Sequence, residues 1–487
     1  MSAPSIAPTI PPPMPEIDFP TWLPAMLVKE LRQGLRTKGF VVAFVGFQAL
    51  MALLMMGAVG SAGATSPVTR ATTQSMIDGF FWTLLTVQLV FVTPSRALGS
   101  LQPEIESRSL DLLLLTRLSA WRIVFGKWAS LVAQSLLLLV AMLPYGIVRY
   151  FAGAADLVSD AGVCLALLGC CAVLTAAGLW SSGNSKVVRI GVGILVSFAV
   201  GTVIIPGLRG GAFSRPSLAS TSISMICLDG ALVLAFFLIA AVRRIAPLAE
   251  NYAFFARALP LVALMPVPLW ALGRATSVAE GQFIFASCFV LLVCGAELAS
   301  VQLPMAVHLR PWLERGKLGK AVARFVLPGW QSGLIYAMVA IALPALIVLG
   351  VPRVVPATVA LRMGWLALLA LGALAFPIVG ISFFERSAAR SAASLYVLLI
   401  AVMSAFAATG AALNAGFPLK YGWLQEFARM LPVSGFWLSL GTQDLSESTM
   451  VVQAALVIVV LGFAWWQAHP YWRHIENLKA RERMAKL

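Results

Sequence analysis

Long apolar runs alternate with short polar connections along almost the whole chain, from Phe40 to Gln467. A helix needs roughly 20 apolar residues to cross the hydrocarbon core of a bilayer, and these runs have about that length. Because backbone groups in lipid must be satisfied within the segment, each run is predicted to be a helix. The predicted spans are residues 40–60, 76–94, 128–148, 161–180, 190–208, 223–242, 258–272, 283–303, 332–351, 363–383, 391–413 and 451–467. The pattern therefore predicts an all-α polytopic membrane protein with about twelve transmembrane helices.

Composition supports this class and argues against a soluble domain. Apolar residues make up 60% of the 487 residues, charged residues make up 11%, and the mean hydropathy is +0.89. A soluble domain of this length cannot bury so much apolar surface, because the fraction of its surface that folding buries rises only slowly with chain length. The weakest predicted span is 258–272, which is short and contains Pro260, Pro266 and Pro268, each of which favours a kink. If that span is re-entrant, every later segment changes sides.

The distribution of Lys and Arg orients the predicted helices. Basic residues gather on the cytoplasmic side of membrane proteins, and with the N-terminus inside, 26 of the 35 Lys and Arg residues fall in cytoplasmic segments. Eleven spans would move either the basic cluster at 310–324 or the C-terminal cluster to the other side. We therefore predict twelve spans with both termini cytoplasmic. The net charge of +15 then reflects orientation and contact with anionic lipid headgroups, rather than nucleic-acid binding.

Polar segments flank the spans at both ends of the chain. Residues 1–20 are Pro-rich and nearly uncharged, which predicts a disordered tail. Within 21–39, leucines repeat every four residues while Lys and Arg lie off that stripe, which predicts an amphipathic helix in the inner interface. Residues 470–487 are predicted to be a basic cytoplasmic tail. The six cysteines lie within predicted spans and lack the spacing of a disulfide framework or a zinc site.

The cytoplasmic loop 96–127 contains a leucine run that is too short to span the bilayer. Acidic residues precede this run and basic residues follow it, an arrangement that suits the dipole of a short helix. Spacing alone leaves two interpretations: the helix meets a protein partner, or it lies flat on lipid. The residues that carry the pattern are Glu104, Glu106, Leu110, Asp111, Leu113, Leu114, Thr116, Leu118, Gly126 and Lys127.

These residues resemble the permease subunits of the second class of ATP-binding-cassette (ABC) exporters, the ABC-2 type membrane family. The family pattern between spans two and three is approximately E-x-x-x-G-T-L-E-L-L-L-L-T-P-L-S-x-x-x-I-V-x-G-K, and residues 104–127 are similar to it. Residues 27–32 also resemble the family's entry helix. The resemblance implies that the loop includes the coupling helix, and that the ten residues named above form the contact with a nucleotide-binding ATPase subunit.

The chain itself carries no ATPase motif. A P-loop requires G-x-x-x-x-G-K-[ST], because backbone N–H groups and the lysine must cradle phosphates. The Gly-Lys pairs at 126–127 and 319–320 are followed by Trp and Ala instead of Ser or Thr. With no catalytic constellation and no cofactor site, the chain is not expected to be an enzyme. ATP and Mg²⁺ would bind to the partner subunit.

The second half of the chain has the same order of segments as the first. Residues 40–242 form a six-span permease half, and residues 243–469 form a second six-span half. Each half has a short basic loop before its fifth span and an outer connection before its sixth. A parallel 6+6 repeat is one interpretation, and an unrelated six-span extension is the other. The sequence leaves open whether one chain forms the whole permease or pairs with a second permease chain.

Glu297 is the candidate intramembrane polar site, because it lies inside predicted span eight. Ionisable groups buried in a membrane are costly and commonly face a cavity or a partner. Glu297 is therefore either a cation or proton site or a hydrogen-bonded packing residue. The resemblance favours an ABC exporter permease in a bacterial inner membrane. The alternatives are a secondary transporter driven by an ion gradient through Glu297 and a non-transporting membrane anchor of an ATPase-containing assembly.

Single-cysteine labelling in a cysteine-free background tests the predicted topology. Cysteines placed at Gly316 and Ala485 should be protected from an impermeant thiol reagent added outside, because both positions lie in basic cytoplasmic segments. A cysteine at Ser446 should react, because it precedes the last span on the outer side. Labelling of Gly316→Cys from outside would contradict the twelve-span topology.

Overall fold

The computed structural model is helical throughout nearly all of the residues that it describes. These are residues 24–61, 67–102, 119–151, 157–182, 189, 220–246, 252–273, 276–298, 319, 322, 325, 327, 329–350, 355–384, 392–416, 418–439 and 447–484. No β-strand occurs within them. The all-α prediction is therefore confirmed for this part of the chain.

The helices are numbered in chain order within the described residues. They are α1 (Ala25–Leu35), α2 (Lys38–Ser61), α3 (Pro67–Thr86), α4 (Thr93–Ala97), α5 (Ala120–Phe151), α6 (Leu157–Ser182), α7 (Ser220–Ile245), α8 (Ala253–Leu264), α9 (Pro266–Leu272), α10 (Thr276–Leu298), α11 (Trp330–Leu349), α12 (Ala357–Phe384), α13 (Ala392–Gly416), α14 (Pro418–Met430), α15 (Pro432–Ser439) and α16 (Glu447–Met484). A π-helical turn, Val87–Val92, joins α3 to α4.

Nine segments within the described residues are long and apolar enough to cross a membrane. They lie in α2, α5, α6, α7, the pair α8–α9, α10, α11, α12 and α16. The chain therefore has the character of a polytopic α-helical membrane protein. Helix α3 and the π-helical turn Val87–Val92 cover most of predicted span two, and α13 covers nearly all of predicted span eleven. Predicted span 190–208 lies outside the described ranges, so the count of twelve stays a prediction.

Predicted span seven forms two consecutive helices, α8 and α9. Pro266 begins α9, a position at which the missing proline N–H costs little. The joint residue Met265 keeps helical dihedral angles, with φ −52° and ψ −43°. At 1.5 Å per residue, the segment Ala253–Leu272 is about 30 Å long, which is enough to cross the hydrocarbon core. The prolines therefore divide this segment without making it too short to span.

Helices extend beyond the predicted spans in two places: between spans six and seven, and after span twelve. Arg243 and Arg244 lie in the last turn of α7, and Arg257 lies inside α8 with only 2% of its surface exposed. The helix can include Arg257 because its charge is paired with Glu297. At the other end of the chain, α16 continues through most of the predicted tail to Met484.

The helix contacts define two groups, which we call the first group (α1–α7) and the second group (α8–α16). In the first group, α5 packs on α1, α2, α6 and α7, while α6 also packs on α4 and α7. In the second group, α10 packs on α8, α11 and α12, while α12 also packs on α11 and α16. Helix α7 joins the groups through contacts with α8 and α10.

One end of the helices, which we call the base, contains the first turns of α5, α8 and α11. The last turn of α6 also lies there, with the Trp180 ring 5.8 Å from the Phe237 ring of α7, and so does Glu297 of α10, which pairs with Arg257. Helix α1 lies at the base against α5. Tyr471 of α16 approaches Gly329, which precedes α11, so α16 returns to the same end.

Helices α4 and α6 cross closely at a glycine. A Cβ atom at Gly178 would lie 2.9 Å from the Cβ of Ala97 and 2.9 Å from the carbonyl oxygen of Pro94. Gly169, on the same helix α6, has no such neighbour within 4 Å. The two glycines therefore form a matched pair for testing this contact.

Gly178→Ala should lower the free energy of unfolding by roughly 1–3 kcal/mol, because the added methyl group overpacks a backbone contact. Gly169→Ala should leave it unchanged or raise it by up to about 1 kcal/mol, because alanine is the better helix former. Thermal unfolding of both variants in the same detergent micelle measures the difference. Equal unfolding temperatures would contradict the close crossing of α4 and α6.

Candidate functional site

The base of the first group is formed by α1 lying across the start of α5. The Lys127 Nζ donates to Glu30 Oε1 at 3.2 Å, with side chains that are only 7% and 15% exposed. A Cβ at Gly126 would lie 3.0 Å from the Cγ of Met26, so the glycine lets α1 approach α5 closely. Residues 97 positions apart in the sequence are thus joined at this end of the bundle.

Helix α1 buries one face and exposes the other. Leu27 and Leu31 are half-buried, whereas Lys29 and Arg32 are exposed, as is Arg36 directly after the helix. An apolar face with a basic opposite face suits a helix in the membrane interface. The same basic face offers charge complementarity to an acidic protein surface.

Two of the ten residues predicted to meet an ATPase subunit lie in the described part of the chain. These are Gly126 and Lys127, and both are buried beneath α1. Lys127 therefore helps to position α1 on α5 through its pair with Glu30. The other eight, Glu104, Glu106, Leu110, Asp111, Leu113, Leu114, Thr116 and Leu118, lie outside the described residues.

The base of the second group is centred on Arg257 of α8, whose side chain is 3% exposed. Its Nε donates to Glu297 Oε1 at 2.8 Å, and its Nη2 donates to Glu297 Oε2. Its Nη1 donates to the Ser332 Oγ at 2.9 Å and to the Phe325 carbonyl, while Nη2 also donates to the Gly329 carbonyl at 3.2 Å. A guanidinium has five N–H donors, and all five are engaged. We call this arrangement the Arg257 clasp.

The Arg257 clasp joins three helices at one point. Arg257 lies on α8, Glu297 on α10, and Ser332 on α11, whose Tyr336 hydroxyl donates back to the Arg257 carbonyl at 2.7 Å. A Cβ at Gly333 would lie 3.2 Å from Glu297 Oε2, so this glycine allows α11 to approach the carboxylate. Because protein groups use every guanidinium donor, the arrangement is suited to fixing helices and not to binding a ligand.

Glu297 lies in the last described turn of α10. It is the residue before Leu298, the last described residue of α10, and it faces Arg257 of α8. Both of its carboxylate oxygens accept from Arg257. Sequence reasoning had no signal for this partner, because Arg257 was counted with the basic residues that precede span seven.

A chain of small polar side chains crosses the interior of the first group. The Thr93 Oγ1 donates to the carbonyl of Gln88 in the π-helical turn at 3.2 Å, and the Ser135 Oγ donates to Thr93 Oγ1 at 3.2 Å. The Cys171 Sγ donates to Ser135 Oγ at 3.4 Å, which extends the chain from α4 through α5 to α6. Such polar contacts hold helices together where no water competes, and π-helical turns are frequent near functional sites.

Ionic pairs fasten the opposite end of each group. Arg149 of α5 donates to Asp78 of α3 from Nε at 2.9 Å and to Asp160 of α6 from Nη1 at 3.1 Å. In the second group, Arg362 of α12 pairs with Glu280 of α10 at 2.9 Å. In the first group, Arg149 thus links the helix of the third predicted span to those of the second and fourth, whereas in the second group the pair links the helices of the second and fourth spans directly.

Glu297→Gln should lower the free energy of unfolding by roughly 3–5 kcal/mol, because it leaves the buried Arg257 charge without its counter-charge. Replacing both residues by methionine should recover part of that loss. Recovery should be incomplete, because the Phe325 carbonyl then loses the donor that Arg257 supplies. Thermal or denaturant unfolding in a single detergent measures these differences.

The control for this experiment is Arg362→Gln at the opposite end of the same group. Its partner pair is more exposed, at 27% and 17%, so the expected loss is about 1 kcal/mol or less. A loss as large as that of Glu297→Gln would show that any charge removal in this group unfolds it, and would contradict a special role for the Arg257 clasp.

Comparison with protein-family models, curated proteins and solved structures finds no match for this chain. Within the described residues, no group of three or more His, Cys, Asp or Glu side chains is placed to hold a metal ion. Functional inference therefore depends on the sequence motifs, the distribution of charge and the way the helices pack.

Proposed function

We propose that this chain is the membrane-spanning permease subunit of an ABC exporter of the second permease class, in a bacterial inner membrane. A separate ATPase subunit would hydrolyse ATP and drive substrate across the membrane. The observation that carries the proposal is the junction of α1 and α5. Residues 27–32 and residues 126–127 both resemble the ABC-2 family, and Glu30 and Lys127 join them directly. Two segments that each resemble the family are therefore in direct contact at one end of the bundle.

The charge distribution supports a cytoplasmic location for the base. The segments assigned to the cytoplasm hold 26 of the 35 Lys and Arg residues, and the exposed basic face of α1 lies at the base. Helix α1 and the last turns of α16 lie at the same end of the bundle. An even number of crossings, as in the twelve-span topology, is consistent with this placement.

The pattern of helix contacts supports the parallel 6+6 repeat. With spans assigned as in the sequence analysis, the first span of each group packs on the second and third. The second packs on the fourth, and the third on the fourth and sixth. The fourth also packs on the sixth in both groups. An unrelated six-span extension would not be expected to repeat the helix contacts of the first six spans.

In the proposed mechanism, movement of the ATPase subunits is transmitted to the membrane helices at the base of each group. Closure of ATPase subunits would push on the base, where α1 is fastened to α5 by the Glu30–Lys127 pair. Because α5 packs on α2, α6 and α7, movement at its first turn reaches most of the first group. The apolar middle of the bundle would then rearrange around the substrate.

The geometry of Glu297 does not favour the secondary-transporter alternative. A proton carrier must release and rebind its proton, and in this arrangement each cycle would break a bidentate pair with Arg257. Breaking a buried pair leaves an uncompensated charge, which costs several kcal/mol. Glu297 is therefore better suited to a structural role than to ion coupling.

Leu114→Asp should abolish ATPase binding, because it places a charge in the leucine run of the predicted coupling helix. Central apolar residues of an interface contribute roughly 2 kcal/mol or more. Glu106→Ala, at the rim, should cost only about 0–1 kcal/mol. The measurements are co-purification of the ATPase subunit and transport-stimulated ATP hydrolysis in proteoliposomes.

Membrane insertion of both variants is the control, measured by their yield and elution from a sizing column. If Leu114→Asp inserts normally and still binds and stimulates its ATPase like the parent, the coupling assignment is wrong. If the parent binds an ATPase but moves no substrate when ATP is supplied, the chain is a non-transporting anchor and the permease proposal fails.

A further inference from the structure

Helices α7 and α10 pack along the boundary between the two groups, with contacts that repeat after seven residues. On α10, the Gln282 Nε2 donates to Asp229 Oδ1 of α7 at 2.8 Å. Seven residues further along each helix, the rings of Phe289 and Phe236 meet edge to face at 5.7 Å. Because seven residues are almost two turns of an α-helix, these positions lie on one face of each helix. We call the contact between these two faces the seam.

Arg243, in the last turn of α7, continues this face of the helix. It follows Phe236 by the same seven residues, and its charge interacts with those of Arg257 and Glu297 in the Arg257 clasp. The residue is half-buried, and its Nη2 nitrogen is fully buried. The Arg243 guanidinium therefore lies at the base end of the seam, between α7 and the second group.

The Arg243 guanidinium has a donor without an acceptor. Its buried Nη2 has no hydrogen-bond partner among the residues that the structure describes. Glu297, the carboxylate whose charge acts on Arg243, has both oxygens engaged by Arg257. A buried, charged donor that lacks an acceptor is costly. A molecule that brings an acceptor to the base end of the seam would remove this cost.

The charge balance at this end of the seam favours an anion, and its depth favours a phosphate. Arg257 and Glu297 neutralise each other, so the charge of Arg243 is in excess, and Arg244 adds a second positive charge beside it. A guanidinium can donate two parallel N–H bonds to the oxygens of a phosphate. The ends of spanning helices lie at the depth of the lipid headgroups, and basic pockets between such helices bind phosphate headgroups.

We propose that Arg243 binds a phosphate group at the base end of the seam. The phosphate oxygens accept from the guanidinium, including its buried Nη2, and supply the opposing negative charge. An anionic lipid headgroup and free inorganic phosphate offer the same oxygens, and the experiment below distinguishes them. A phosphate bound there lies between α7 and the Arg257 clasp and adds an ionic contact across the boundary of the two groups. The site does not depend on the proposed function.

Thermal unfolding of the delipidated full-length chain in one uncharged detergent tests the site. Dioleoylphosphatidylglycerol, dioleoylphosphatidylcholine and inorganic phosphate are added separately, the last at constant ionic strength against chloride. A ligand that binds the folded chain raises its unfolding temperature. A larger rise with the anionic lipid than with the zwitterionic one identifies a lipid headgroup as the source. Equal rises with the two lipids, together with a rise in phosphate, identify free phosphate. No rise beyond that with the zwitterionic lipid, and none in phosphate, would overturn the proposal.

Arg243→Gln distinguishes phosphate binding from a purely structural role. Without added ligand, this variant should unfold at the same temperature as the parent or a higher one, because it removes a buried charge that lacks a counter-charge. The stabilising ligand should bind it about ten- to a hundredfold more weakly, as expected for the loss of a hydrogen bond to a charged group. The dependence of the unfolding temperature on ligand concentration gives both affinities. An unchanged affinity would show that Arg243 does not contact the phosphate.

Two further variants complete the test. Arg36→Gln removes the same charge from an exposed position directly after α1, so it should keep the parent's affinity. Arg243→Lys keeps the charge but loses the planar fork, so its affinity should fall by less than that of Arg243→Gln. If Arg36→Gln weakens binding as much as Arg243→Gln, the ligand responds to the overall charge of the base and the proposed site is wrong. Parent-like affinity in Arg243→Lys and in Arg243→Gln would overturn it equally.

Discussion

The hydrocarbon interior supplies no water to solvate a polar group, and this constraint determines where the chain places its charges. The Arg257 guanidinium is the clearest case, because all five of its donors find acceptors on α8's neighbours. Such saturation is what makes a buried cation tolerable. Because these acceptors come from α10 and from α11 and the residues before it, α8, α10 and α11 must meet at Arg257. The need to pair one buried charge thus fixes how three helices pack.

The same constraint separates the ends of the bundle from its middle. Charge pairs lie near the helix ends, with Glu30 and Lys127 at the base and Arg149 at the opposite end. Between them, the first group uses weaker polar contacts such as that of Ser135 with Thr93. Neutral hydrogen bonds between helices in lipid contribute modestly, about 0.6–2 kcal/mol each. Thus the strongest links within each group are close to the two membrane surfaces.

The sequence predicts local features well and long-range pairings poorly. Apolar length predicted the spanning helices because the ability to cross a bilayer depends on a single segment. Glu297 was recognised because a carboxylate in an apolar run is costly. Its partner Arg257 was not, because it lies 40 residues away and resembled an ordinary basic residue next to a span. Similarly, no pattern in 470–487 indicated that α16 continues as a helix, and its packing through Trp472 depends on residues more than a hundred positions earlier.

These links also indicate which motion costs least. Movement within the first group would break the ionic pairs that Arg149 makes with α3 and α6. Movement within the second group would break the pairs that join α8 to α10 and α10 to α12. Movement between the groups mainly shifts the apolar contacts of α7, such as the edge-to-face contact of Phe236 with Phe289 at 5.7 Å. A polar link across this boundary is the bond from Gln282 to Asp229 at 2.8 Å. Sliding of apolar surfaces changes few strong interactions, whereas separating buried charges changes many. The helix pairs inside each group should therefore move together, with α7 as the boundary along which one group shifts against the other.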